Sequence, residues 1–311
     1  MFRKSLVIDM INRSAENATD RRNFLRSAGL LSAGAVGAGL AGAGAASAAS
    51  AATAAPSAGA VLNFALNLEY LEAEFYSFAA FGHGIADSLT NGTGTKGPVT
   101  GGHRVPFKSR KMRYIAEEIA ADEIAHVKFL RTGLGAAAVS RPAINLQESF
   151  SGAAQAAGLI PAGATFDPFA SEEAFLAGAF LFEDVGVTAY KGAAPLIGNT
   201  EFIGAAAGIL AVEAYHAGII RTQMYDRGMV AAAGAISDAR DSLDGPEDLD
   251  QGIVTGNPKA MRANLVPTDD NGIAFSRTPS QVMNIVYLTP GAGVSQGGFY
   301  PAGLNGEIKT T

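Results

Sequence analysis

The sequence has no cysteine, no tryptophan and four histidines. Without thiols, disulfide scaffolds, thiolate zinc sites, iron–sulfur clusters and cysteine nucleophiles are excluded. Basic residues are outnumbered, with 23 Lys and Arg against 29 Asp and Glu and a formal net charge of −6. That balance argues against a nucleic-acid partner, because phosphate contacts need clustered cationic side chains. A length of 311 residues allows one or two domains and an ordinary core without staples. Glycine is abundant instead, at 38 residues, and gathers towards the two ends of the chain.

A second scarcity is local. From Ser27 to Leu68 there is no charged side chain, and residues 29–60 are almost wholly Ala, Gly, Ser and Leu. The run follows Asp20-Arg21-Arg22-Asn23-Phe24-Leu25-Arg26 and contains small-residue sites such as Ala46-Ser47-Ala48. Residues 1–48 therefore read as a Tat-type export signal, and residues 49–59 as an alanine-rich linker entering the first helix. The expected location is periplasmic or extracellular, with the membrane met only during export. A permanent anchor is the competing reading, but Gly and Ala contribute little transfer energy and Gly disfavours helix. The formal G-x-G-x-x-G at Gly37 to Gly42 has no strand before it and no acidic ribose ligand after it, so it is a chance match in a Gly/Ala tract. Without residues 1–48, which hold six basic and three acidic side chains, the chain would carry −9.

Between residues 57 and 228 four segments repeat apolar residues at three- and four-residue spacing, and none sustains a period of two. The spacing predicts helices over about Ser57–Phe81, Phe107–Thr132, Ser171–Ala194 and Thr200–Arg227, with stops at Gly82, Gly133, Pro195 with Gly198, and Gly228. A long connection through Pro142, Pro161 and Pro168 joins the second to the third. The fold class is thus all-α: a four-helix bundle over residues 60–230, made of two helical hairpins joined by a long crossover, the connectivity of ferritin-like folds.

Each apolar stripe carries charge at its centre. The second helix holds Glu123-Ile124-Ala125-His126 and the fourth Glu213-Ala214-Tyr215-His216, each an E-x-x-H with carboxylate and imidazole on one face. The first and third hold Glu69 and Glu183, each with a tyrosine two turns later, Tyr76 and Tyr190. The chain reads as a duplicated helical hairpin. Two of four histidines following Glu by three residues is a coincidence of about one per cent by chance. Four core carboxylates need positive charge, and the stripes have no Lys or Arg. Two divalent cations would balance them. Carboxylates sharing protons in a metal-free bundle are the alternative.

The segments Asn67-Leu68-Glu69-Tyr70 through Tyr76 and Asp122 through His126 resemble ligand segments of the ferritin-like superfamily. Within it, the run Leu62 to Glu72, Arg277 to Val282 and Gly297 to Pro301 resemble bacterial exported ferritin-like proteins related to plant desiccation-related proteins. The resemblance implies Glu69, Glu123, His126, Glu183, Glu213 and His216 as ligands to two Fe or Mn ions per chain, with Glu123 and Glu213 bridging. It implies Tyr76 and Tyr190 as donors orienting the carboxylates; the plainer reading makes them core aromatics. Glu72, one turn from Glu69, is the competing ligand of the first helix, and His83 and His103 read as solvated.

Residues 231–311 are expected to be an irregular acidic, then Gly/Pro-rich extension. Asp241, Asp244, Glu247, Asp248 and Asp250 lack EF-hand spacing and read as a solvated loop; the apolar patch at residues 279–288 is expected to pack on the bundle. Carboxylate and imidazole donors suit redox-active Fe or Mn acting on O2 or peroxide. The expected function is iron oxidation or peroxide detoxification under oxidative or desiccation stress, with manganese-catalase-like activity its sharpest form, although that family's ligand spacing differs from the duplicated E-x-x-H. A non-catalytic protectant whose metal only stabilises the bundle is the second reading, and a second copy of the chain is a candidate partner.

Overall fold

A computed structural model describes residues 56–198, 200–257 and 260–311. The export-signal reading of residues 1–48, and residues 49–55 of the linker, lie outside the described residues. Four long helices carry the architecture: α1 (Ala58–Phe81), α2 (Arg110–Leu134), α4 (Glu172–Ile197) and α5 (Thr200–Asp226). The crossover between the hairpins contains the short α3 (Glu148–Ala156), and α6 (Val230–Asp244) and α7 (Pro279–Val286) follow α5. Within each hairpin the helices pack along their length, and α1 also packs on α4. Among the described residues, strand is confined to two-residue pairs: Val99–Thr100 beside Ile144–Asn145 in parallel, and Val254–Thr255 beside Arg262–Ala263 antiparallel.

The helix starts follow local chemistry. The Ser57, Ser109 and Ser171 hydroxyls accept from the backbone N–H groups of Ala60, Met112 and Ala174, covering donors that the first turn leaves unpaired. Two stops differ from expectation. Gly133 does not end α2, which continues to Leu134 and closes at Gly135, the residue that takes positive φ (55°). Pro195 sits inside α4, because a proline in the last turn removes only one ladder bond while Ile197 beyond it is buried. Gly198 then ends the helix at φ 64°.

The expectation of an irregular 231–311 is corrected by α6, whose Ala233, Ile236 and Arg240 are buried at near three-residue spacing. The solvated-loop reading is corrected too, since Asp244 and Asp250 are buried. Three arginines and three aspartates form a closed ionic cluster linking α4, α5, α6 and the tail. Arg221 Nη1 donates to Asp184 (2.7 Å), Arg240 Nη2 to Asp184 (3.1 Å) and Asp250 (2.8 Å), and Arg277 to Asp244 (2.6 Å) and Asp250 (2.5 Å). These arginines are among the largest fully buried side chains, and their charges are matched one for one.

The tail is therefore part of the core. Thr278 and Gln281 form a capping box with Pro279 in the first turn of α7, and Val282, Ile285 and Val286 are buried. Phe299 lies 5.0 Å, centroid to centroid, from both Phe150 and Phe182. The Tyr300 hydroxyl donates to the Asn67 carbonyl (2.7 Å), and the Asn67 side chain pairs with the backbone of Asn305 (2.9 and 3.1 Å). These contacts tie the tail to α1 two residues before Glu69.

One stretch among the described residues, Phe202–Asp226, is long and apolar enough to cross a membrane. Its buried side nevertheless carries Glu213, His216 and Arg221, which face partners within the bundle.

Candidate metal centre

Helical periodicity brings the charged residue of every stripe to the same depth of the bundle. Glu69 from α1, Glu123 and His126 from α2 and Glu213 from α5 form one group, and Glu183 from α4 with Glu213 and His216 from α5 a second. In each group the candidate ligand atoms lie within 4.8 Å of one another, and every member is buried. The two groups share Glu213.

Both imidazoles turn Nδ1 inward. His126 Nδ1 lies 3.2 Å from Glu69, 3.5 Å from Glu123 Oε2 and 3.6 Å from Glu213 Oε1. His216 Nδ1 lies 3.0 Å from Glu123 Oε1 and 3.8 Å from Glu183 Oε2. Glu123 thus directs one oxygen to each histidine. The tyrosines cross between hairpins: Tyr76 of α1 donates to Glu183 of α4, and Tyr190 of α4 donates to Glu69 of α1. His216 Nε2 faces the Asp122 carboxylate at 3.1 Å. Glu72 is buried close by but belongs to neither ligand group. His83 and His103 are exposed, the latter 2.9 Å from Asp167.

A cation fits this donor set. Both oxygens of Glu123, both of Glu213, Glu183 Oε2 and His216 Nδ1 are buried without a hydrogen-bond partner. An orphaned buried polar atom ordinarily costs about 1–3 kcal/mol, more when charged, so six at one point need an occupant to satisfy them. Arg221 does not supply it, being paired with Asp184.

Without a cation the centre must keep protons. Burial, then Glu123, raises Glu69 to about 7, and burial raises Glu183 to about 8. Burial and the neighbouring carboxylates push Glu72 and Glu213 well above the usual carboxylate range. Burial would raise Glu123 as well, but His126 and His216 outweigh it and hold it at about 2. Burial opposes the imidazolium forms; contacts with Glu123 and Glu69 nevertheless lift His126 to about 10, and Glu123 with Glu183 lifts His216 to about 9. Burial and neighbouring carboxylates push Tyr76 and Tyr190 far up, so both remain hydroxyl donors.

All six ligand candidates named from the sequence converge here, together with both tyrosines. Two contributors carried no assigned role. Asp122, adjacent to a ligand, holds the histidine of another helix. Gly186, one turn after Glu183, lets Glu213 approach the α4 backbone: a Cβ there would collide with Glu213 Oε2 and lie 3.3 Å from Glu213 Cδ and 3.5 Å from Glu72 Oε1. A glycine inside the third helical stripe was the available signal for it.

A family model for the ferritin-like domain matches residues 57–226. The chain is 32% identical over 239 residues to "Desiccation-related protein PCC13-62" of Craterostigma plantagineum, covering 72% of this chain and 75% of that one. It is 29% identical over 266 residues to "Ferritin-like catalase Nec2" of Nesocodon mauritianus, covering 80% of this chain and 83% of the relative. No solved structure matches the chain significantly.

Proposed function

The chain belongs to the ferritin-like domain family, and from that premise we propose an exported protein holding two Fe or Mn ions that disproportionates hydrogen peroxide. The observation that carries the reading is the convergence of six orphaned ligand atoms from three helices, with Glu69 and His126 completing the set. The relative named as a ferritin-like catalase supports peroxide as substrate and manganese-catalase-like turnover as the sharpest form. Two divalent ions would cancel the charge of four ligand carboxylates, Glu69, Glu123, Glu183 and Glu213.

Bound Fe or Mn would supply two-electron redox chemistry, taking two peroxides to one O2 and two waters as one is oxidised and the other reduced. The protein handles placement and protons. Tyr76 and Tyr190 fix the rotamers of Glu183 and Glu69 through their hydroxyls. Burial, with the charges of Glu123 and Glu183, pushes Glu72 well above the usual carboxylate range, which favours a proton on its carboxyl near Glu213. Gly186, lacking a Cβ, lets the Glu213 carboxylate lie against the backbone of α4 beside Glu72.

Oxygen evolution from peroxide by the metal-loaded protein, compared with a His126→Ala/His216→Ala variant, tests the reading. Turnover that exceeds the variant's supports it. Fe(II) oxidation without oxygen evolution would move the activity to iron oxidation. Metal without either activity would leave the protective reading, which the desiccation-related relative favours.

A further inference from the structure

The duplication that builds the centre is broken where Glu72 of α1 corresponds to Gly186 of α4, and again behind its histidines. Glu69 with His126 on one side corresponds to Glu183 with His216 on the other; Glu213 belongs to both ligand groups, and Glu123, grouped with His126, also turns Oε1 to His216 at 3.0 Å. The residue before Glu123 is Asp122, which reaches across from α2 to His216 of α5 at 3.1 Å. The residue before Glu213 is Val212, whose side chain has no group that could do the same for His126.

A carboxylate behind a ligating imidazole fixes its tautomer and orientation and strengthens the ring as a donor. With Nε2–H donating to Asp122, the His216 ring is held with Nδ1 facing the centre before any ion arrives, so that loss of the Nδ1 proton leaves a lone pair already aimed at the ion. Asp122 is 46% exposed and lines, with Lys111, Glu118 and Tyr215, an open groove of about 760 Å³ between α2 and α5. Exposure weakens its long-range electrostatics, but the orienting effect is local and survives.

Resting on the dimetal reading, we propose that the centre fills in order, the His216 half first, with Asp122 as the positioning residue that makes this half the tighter. Loss of such an outer partner lowers metal affinity about 10–100-fold, and that is the gap expected between the two binding steps.

Titration of the metal-free protein with Co(II), followed by visible absorption and calorimetry, tests this. Two steps separated by about 10–100-fold are expected, and His216→Ala should remove the tighter one. Asp122→Ala should weaken the tighter step by that factor and spare the other. Asp122→Asn, whose amide oxygen still accepts, should fall between. Val212→Asp should tighten the weaker step. Two equal steps in the unaltered protein, equal weakening of both by Asp122→Ala, or loss of the tighter step through His126→Ala would overturn the order while leaving the dimetal reading intact. Absence of Co(II) binding would instead overturn the dimetal reading and the order with it.

Discussion

Metal loading should expel about three or more protons per chain at neutral pH. The perturbation is titration of metal-free protein with Mn(II). Before the ion arrives His126 and His216 are protonated, lifted to about 10 and about 9 despite burial, and only neutral imidazole can ligate. Glu183, at about 8, holds about one more, and burial with the neighbouring carboxylates pushes Glu213 in the same direction. Glu69, at about 7, is near its midpoint, and Glu123, at about 2, is already ionised. Because these protons compete with the ion, affinity must rise with pH, by about a hundredfold per ion per unit near neutrality if two protons leave with each. Calorimetry in buffers of differing ionisation enthalpy counts the protons directly. Release of fewer than about one proton, or affinity that is flat across neutrality, would refute the reasoning.

Other consequences can be checked separately. Tyr190→Phe and Tyr76→Phe each remove a donor to a ligand carboxylate, and metal affinity should drop about 10–100-fold in competition with a chelator. Gly186→Ala places a methyl against Glu213 and Glu72; elemental analysis should find less metal per chain, with a stability loss of about 1–3 kcal/mol in urea unfolding. Although burial raises Asp250, Arg240 and Arg277 hold it below the usual carboxylate range. Its folded pKa is therefore depressed, and its stabilisation, present above the unfolded value, is lost as pH falls through the folded one. Asp250→Asn should cost about 3–5 kcal/mol, seen as a melting temperature lower by about 6–20 °C, without changing metal stoichiometry.

The bundle and its ligands were legible because both leave a periodic mark. Apolar residues at helical spacing define four stripes, and a charged residue inside a stripe stands out against them, as Glu123 and His126 do. The tail left no such mark. Asp244 and Asp250 sit in an acidic run that looks solvated, and their partners Arg240 and Arg277 are paired with them only by tertiary packing. Helix α6 is alanine-rich, and its buried Arg240 interrupts the apolar pattern that would have announced it. Gly186 carries its role in the atoms it lacks. Asp122 stands next to a ligand in sequence, but its partner His216 lies on another helix, so its part in the centre emerges only when α2 and α5 are seen side by side.

Elemental analysis of the folded protein after expression in iron- and manganese-replete medium tests the central claim most directly. About two Fe or Mn ions per chain are expected, and about none in a folded His126→Ala/His216→Ala variant. A folded, unaltered protein carrying no metal would contradict it.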